Sequence, residues 1–167
     1  MKKMECSNCG GEAPVVRGTY HLKELGLKNV VLQGTEIVKC GKCGNEDPVL
    51  HRMDDIMRAL ALAVVGKPYR LAGDEVRFLR KYLHLTGEQF ARLLRVDNTT
   101  LSKWERGEDP VGPQSDLLIR FFTVVLGEGL KEKIDDVVAH MSQIRDTRPR
   151  RRPTIEISAA TLGYQYA

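Results

Sequence analysis

No stretch of this 167-residue chain approaches the roughly 18 consecutive apolar residues of a membrane span. The opening Met1-Lys2-Lys3-Met4-Glu5-Cys6 has no apolar segment behind its lysines, so the pattern of a signal peptide is missing. There is no glycine-rich loop of the kind that cradles phosphate. The four histidines, His21, His51, His84 and His140, are scattered, and none stands at a telling distance from an acid or a nucleophile. These absences argue against a membrane protein, an exported protein and an enzyme. The expectation is a soluble, cytoplasmic, non-enzymatic chain. Cysteine is also scarce, and none of it is left over: all four cysteines fall into two matched pairs.

Those pairs read Cys6-Ser7-Asn8-Cys9-Gly10 and Cys40-Gly41-Lys42-Cys43-Gly44. A Cys-x-x-Cys pair can set two thiolates on one tetrahedral ion, and two pairs complete a four-coordinate structural zinc site. The glycine behind each pair suits a knuckle, because it can take positive φ while backbone N–H groups turn toward the sulfurs. Two disulfides would require an oxidising compartment. A redox Cys-x-x-Cys normally opens a helix in a thioredoxin-like setting, whereas glycines and short strand-like runs surround these pairs. Four thiolates also suit an iron–sulfur cluster, which stays open beside structural Zn²⁺. Cys6, Cys9, Cys40 and Cys43 are the candidate metal ligands. A Cys₄ shell has no open position for catalysis.

The length suits one ordinary domain or two small ones. A formal charge of +4 hides a pattern. Residues 67–107 carry nine Lys/Arg against five Asp/Glu, residues 108–145 carry four against seven, and residues 146–167 carry four against two. The positive excess therefore lies in a middle segment and a tail, where phosphate could use it, although solvated helix faces are often basic.

Four segments follow. Residues 1–50 form the metal module, with strand-like runs at 13–20 and 30–38 split by glycines. So small a ribbon buries little apolar surface and would draw on metal for stability. Residues 51–70 are a connector helix and linker. Met53, Met57, Leu60 and Val64 line one helix face, Asp54 and Asp55 suit the first turn, and Gly66-Lys67-Pro68 stops it. Residues 71–145 read as short helices at about 74–83, 87–94, 98–106 and 114–126, then a last one at 130–144. The helix at 114–126 is expected to turn Leu118, Phe121, Phe122 and Val125 inward. The last carries a stripe of Leu130, Ile134, Val137, Met141 and Ile144, suited to the core or to a second copy. Residues 146–167 are a basic tail, Arg148-Pro-Arg-Arg-Arg152-Pro153, followed by an alternating run at 154–158. The tail reads equally as a DNA-reaching arm or a solvated linker.

Two short helices joined by the tight turn Arg95-Val96-Asp97 make a helix-turn-helix, whose second helix enters the major groove. Asp97 has the acceptor needed to cap that helix. The residues expected to face base edges are Asn98, Thr99, Thr100, Ser102 and Lys103. Lys103 can donate to guanine and Asn98 could pair with adenine. Arg106 and the start of the preceding helix suit phosphates, and Arg95 could add another such contact.

The run Leu79-Arg80-Lys81, Glu88-Gln-Phe-Ala91 and Thr100-Leu-Ser-Lys-Trp-Glu-Arg-Gly107 resembles a Cro/C1-type (XRE-type) helix-turn-helix. With the N-terminal paired knuckles, and with Gly26-Leu-Lys-Asn-Val-Val-Leu-Gln-Gly34 between them, the chain is similar to the YgiT-type zinc-finger/helix-turn-helix family, which includes the MqsA antitoxins. The resemblance covers about residues 4–126. It implies an α+β, mostly α fold: a small Cys₄ zinc ribbon followed by a five-helix Cro/C1-type domain. It further implies a homodimer on a palindromic double-stranded operator, repression of its own operon, and a zinc module that neutralises a toxin. By position, Asn98, Thr99 and Lys103 match base-contacting sites of the family, and Arg80 and Glu105 match a structural ion pair. Two positions depart from the pattern. Gly87 stands where the family often has Gln, and Arg95 where the turn usually has Gly. A left-handed non-glycine residue costs roughly 1 kcal/mol, so a slightly altered turn is expected. The competing readings are a zinc-ribbon regulator with no toxin, and a protein-interaction adaptor.

Overall fold

The computed structural model describes residues 2–141, 143–145 and 149–167. The chain is α+β with more helix than strand, 41% against 22%. Its elements are β1 (Lys3–Glu5), β2 (Glu12–His21), β3 (Val30–Lys39), β4 (Glu46–Val49), α1 (Met53–Gly66), α2 (Gly73–Tyr82), α3 (Gly87–Leu94), α4 (Asn98–Arg106), α5 (Pro113–Leu126), a 3₁₀ turn (Lys131–Lys133), α6 (Ile134–Met141), β5 (Ile155–Ser158) and β6 (Tyr164–Tyr166). Sequence periodicity placed α1 to α5 within a residue or so of these limits. The last helix is shorter than expected from 130–144. Of the basic tail, Arg148 lies outside the described residues.

β3 organises the sheet. β2 runs antiparallel along one flank. On the other, β4 pairs with Glu36–Lys39 and β5 pairs in parallel with Val30–Gln33. Gly34, at φ 71°, separates the two pairings. β6 then hydrogen-bonds to β5, and Thr154 exchanges backbone bonds with Ala167. The strand-like run of the tail is thus a strand of the N-terminal sheet.

That pairing places the helices on the sheet. Leu22, Leu27, Val30 and Leu32 join Ile155 and Ile157 in one core with α1 and the helices behind it. α1, expected as a connector, is buried on several faces through Ile56, Ala59, Leu60, Ala61, Ala63, Val64 and Val65. Its small residues let strand and helix backbones approach from different sides. A second, smaller cluster lies at the knuckle end of the sheet: Cys6, Ala13, Val38 and Cys40, with Val15 and Val49 against them.

α5 corrects a sequence expectation. Leu118 and Phe121 point outward, and the buried face is Asp116, Ile119, Arg120, Thr123 and Val124. Arg120 is fully enclosed, so it must be paired. Its Nε donates to Asp116 Oδ2 at 2.7 Å, and its other nitrogens donate to the carbonyls of Val65, Lys67 and Tyr69 at 2.6–2.8 Å. A polar inward face defeats a reading based on apolar period. By contrast, the stripe around α6 packs inward: Leu130 and Val137 are buried, with Ile134 and Met141 against the core.

Candidate nucleic-acid interface and metal centre

The two knuckles share one geometry. The Gly10 amide donates to the Cys6 carbonyl and the Gly44 amide to the Cys40 carbonyl, each at 2.9 Å. Both glycines take positive φ, 67° and 75°. The folded chain brings the pairs face to face. Cys6 Sγ lies 3.6 Å from Cys43 Sγ, Cys9 Sγ lies 3.6 Å from Cys40 Sγ, and all four sulfurs fall within 4.8 Å of one another. A tetrahedron of metal–sulfur bonds about 2.3 Å long has edges of roughly 3.8 Å. The four cysteines can therefore hold a metal ion.

The surroundings favour thiolate at Cys6 and Cys40. Amides of Cys9 and Asn8 hold the Cys6 thiol below its ordinary value, and those of Cys43 and Lys42 bring Cys40 down to about 6. Against the Gly11 amide, which lowers it, Cys9 is pushed up to about 12 by the neighbouring Cys43 and Cys40 sulfurs. Four close sulfurs resist sharing negative charge, and a divalent cation among them removes that repulsion. Ser7 donates to Asp47 at 2.5 Å, and Asn45 donates to the same carboxylate at 2.7 Å, which ties one knuckle to the strand after the other.

The second site is built on α2, α3 and α4. Thr86 caps α3 by accepting from the Gln89 amide at 3.2 Å, while the Gln89 side chain accepts from the Thr86 amide at 2.8 Å. Thr-x-x-Gln marks this reciprocal capping box in the sequence, a start signal that apolar period does not carry. Arg95 ends α3 at φ 57°, ψ 41°. The turn keeps the left-handed residue that glycine would supply, so no altered turn results from Arg95. Asp97 occupies the N-cap of α4, yet its side chain makes no capping hydrogen bond, which corrects the expected cap.

α4 is seated by Leu101 and Trp104 in the core. At its far end Arg80 grips Glu105 with two parallel bonds, Nε to Oε1 at 2.6 Å and Nη2 to Oε2 at 3.0 Å. Arg80 also donates to the Leu85 carbonyl at 3.0 Å, so one side chain ties α2, the α2–α3 loop and α4 together. A close approach helps. A Cβ on Gly73 would lie 2.1 Å from the Trp104 carbonyl oxygen, which makes glycine necessary where α2 starts against the end of α4.

With α4 seated so, Asn98, Thr99, Lys103 and Arg106 are exposed, Thr100 and Ser102 are half-buried, and Arg95 is exposed beside them. Gly87 at the start of α3 lies under Asn98, whose Oδ1 would be 3.2 Å from an added Cβ. Two carboxylates guard the basic end. Lys103 Nζ is 3.7 Å from Asp109, and Arg106 is held by Glu108 at 2.5 and 2.9 Å and by Ser102. The Arg106 hydrogen bond in turn keeps the Glu108 carboxyl below its ordinary range.

A helix-turn-helix family model matches residues 76–119, from the first turn of α2 into α5. No curated protein and no solved structure matches the chain. Residues 76–119, about a quarter of the chain, thus match a helix-turn-helix of the Cro/C1 type, which supports a DNA-binding transcriptional regulator. No helix among the described residues is long and apolar enough to cross a membrane.

Proposed function

We propose that this chain is a sequence-specific transcriptional repressor that reads a palindromic operator as a homodimer, with zinc as the structural ion of its Cys₄ centre. The observation that carries this reading is the presentation of α4. Its Asn98, Thr99 and Lys103 face is exposed within the matched segment, while Leu101, Trp104 and the Arg80–Glu105 pair hold its other faces. Thr100 and Ser102 flank that face. Arg106 and Arg95 are the phosphate contacts, and Glu108 must release Arg106 for the first of these. Support for a dimer comes from α5, where Leu117, Leu118, Phe121 and Leu126 are 41–53% exposed, more apolar surface than one helix ordinarily leaves to water. Two such copies would place their α4 helices in successive major grooves, about 34 Å apart.

The zinc proposal rests on the sulfur geometry and all-thiolate set; elemental analysis that returned iron would replace it with a cluster. The finer reading, in which the regulator is an antitoxin that represses its own operon and holds a toxin through the metal module, rests on the paired knuckles preceding the helix-turn-helix. Co-expression with the neighbouring open reading frame tests it. Rescue of growth and co-purification of the neighbour with the full chain support an antitoxin. A harmless neighbour that does not bind leaves a zinc-ribbon regulator. A chain that selects no DNA from a random pool is a protein-interaction adaptor, and the operator reading then falls.

A further inference from the structure

The function proposed above leaves the basic tail without a role. The chain is held on both sides of two of its arginines, Arg150 and Arg151. Before them, the Arg145 amide donates to the Pro68 carbonyl at 2.8 Å, and Arg145 forms a backbone bridge with Tyr69. After them, Arg152 is spent on structure. Its Nη1 donates to both oxygens of Asp74 at 2.8 and 2.6 Å, and its Nη2 lies 2.8 Å from Glu75 Oε1. The Asn29 side chain then donates to the Pro153 carbonyl at 2.7 Å, just ahead of β5. Arg150 and Arg151 themselves are exposed, and among the described residues no carboxylate forms an ion pair with either.

The Arg152 pin sets where this pair stands. Asp74 follows Gly73, the residue that seats α2 against the end of α4. A Cβ on Gly73 would lie 2.1 Å from the Trp104 carbonyl oxygen and 2.9 Å from the Gly107 nitrogen. Consecutive Cα atoms are about 3.8 Å apart, so the backbones of Arg151 and Arg150 lie within about 8 Å of that of Arg152. The same end of α4 carries two more arginines. Arg77, one turn beyond Asp74 on α2, donates to the Glu105 carbonyl at 3.3 Å, and its side chain is 47% exposed. Arg106 is the last residue of α4. The carboxylates around them are matched: Asp74 by Arg152, Glu105 by Arg80 and Glu108 by Arg106. The unmatched charge at this end of α4 is therefore positive, and most of it comes from a segment far away in sequence.

A helix lying in a major groove has phosphates passing its ends, and cations placed there bind duplex without reading bases. Arginines on a chain already fixed lose less freedom on binding than those on a disordered arm. We propose that Arg150 and Arg151, with Arg77, form a further DNA-binding surface. It grips backbone phosphates past the C-terminal end of α4, outside the bases that α4 reads, and the Arg152–Asp74 pair holds it in place. This surface rests on the operator reading above. Charge complementarity and continuity with Arg106 make double-stranded DNA its occupant.

The test compares the full chain with Arg150→Gln/Arg151→Gln on one selected operator, by filter binding from about 50 to 200 mM salt. Loss of two phosphate contacts should flatten the salt dependence by about two units of slope, so the affinity gap between the two proteins shrinks about tenfold across that range. Preference among single-base variants of the operator should not change, which separates these residues from Lys103. Ethylation of the flanking phosphates should weaken the wild type and not the variant. Arg150→Lys/Arg151→Lys keeps the charge and should restore the slope. Lys2→Gln/Lys3→Gln removes as much charge at the opposite edge of the sheet and should leave the slope as it was. If the glutamine variant does not fold, the wild-type ethylation map decides, and a map with no flanking phosphates overturns the surface. Operator binding whose salt slope survives Arg150→Gln/Arg151→Gln overturns the surface and leaves the operator reading standing. A slope that falls equally with Lys2→Gln/Lys3→Gln assigns the effect to net charge and overturns the surface too. A wild-type chain that binds no duplex overturns both readings.

Discussion

Asp116 and Arg120, one turn apart on α5, form an ion pair with side chains 2% and 0% exposed. The pair closes a gap left by the chain itself. Arg120 satisfies the carbonyls of Val65 and Lys67, where α1 ends, and Asp116 accepts from the Leu71 amide at 2.6 Å. The junction between α1 and the helix-turn-helix is therefore built on one buried guanidinium. Arg120→Met should destabilise the fold by about 3–5 kcal/mol, because it strands a buried carboxylate and three carbonyls. Urea unfolding measures this, and an unchanged midpoint would show that the pair is not enclosed in solution.

Gly73→Ala tests the seating of α4. The added methyl meets the Trp104 carbonyl oxygen at 2.1 Å and the Gly107 nitrogen at 2.9 Å, both backbone atoms that cannot turn aside. A loss of about 1–3 kcal/mol is expected, the usual range for forced overpacking. Gly87→Ala is the contrast. It meets only the mobile end of Asn98 at 3.2 Å, so operator affinity should change with little effect on the thermal midpoint.

On a selected operator, Lys103→Ala should weaken binding by about 1–3 kcal/mol and relax preference at one base position. Glu108→Gln should act oppositely. It frees Arg106, strengthens binding and steepens the salt dependence by about one unit of slope. Since Arg106 holds the Glu108 pKa below the ordinary carboxylate value, Glu108 keeps its charge above that depressed value. Mild acidification should therefore not mimic the substitution. Filter binding across salt and pH checks all three. An unchanged affinity for Lys103→Ala removes that residue from the interface.

Metal removal should act on half of the sheet. Cys6 and Cys40 belong to the small cluster with Ala13 and Val38, whereas Leu22, Val30 and Leu32 belong to the main core. Chelation, or Cys40→Ser, should strip hydrogen-exchange protection from Val38 and its β2 partner Val15 but leave Leu32 and α2–α4 protected. Loss of protection throughout would mean that the ion stabilises the whole chain.

The helix-turn-helix was legible because its apolar period is strong and the turn Arg95-Val96-Asp97 joins its two short helices tightly. The knuckles were legible for a similar reason, since paired cysteines with following glycines have few other uses. The inward face of α5 was not. Asp116, Arg120 and Thr123 are polar, so apolar period does not mark their side, and only the carbonyls arriving from the end of α1 and the turn after it make that side a buried one. The alternating run at 154–158 announced a strand but not its partner, because parallel pairing with β3 brings together segments whose own sequences do not name each other.

Sequence alone thus determined helices α1 to α5, strands β2, β3 and β5, the four cysteines that cluster and the exposure of Asn98, Thr99 and Lys103 on α4, all set by interactions among near neighbours in the chain. The tertiary structure decided that β5 closes the N-terminal sheet over α1, that Arg120 and Asp116 lie inside, and that Arg152 pairs with Asp74 and Glu75. Each of these depends on groups distant in sequence satisfying one another's charge and hydrogen bonds, which no local pattern specifies.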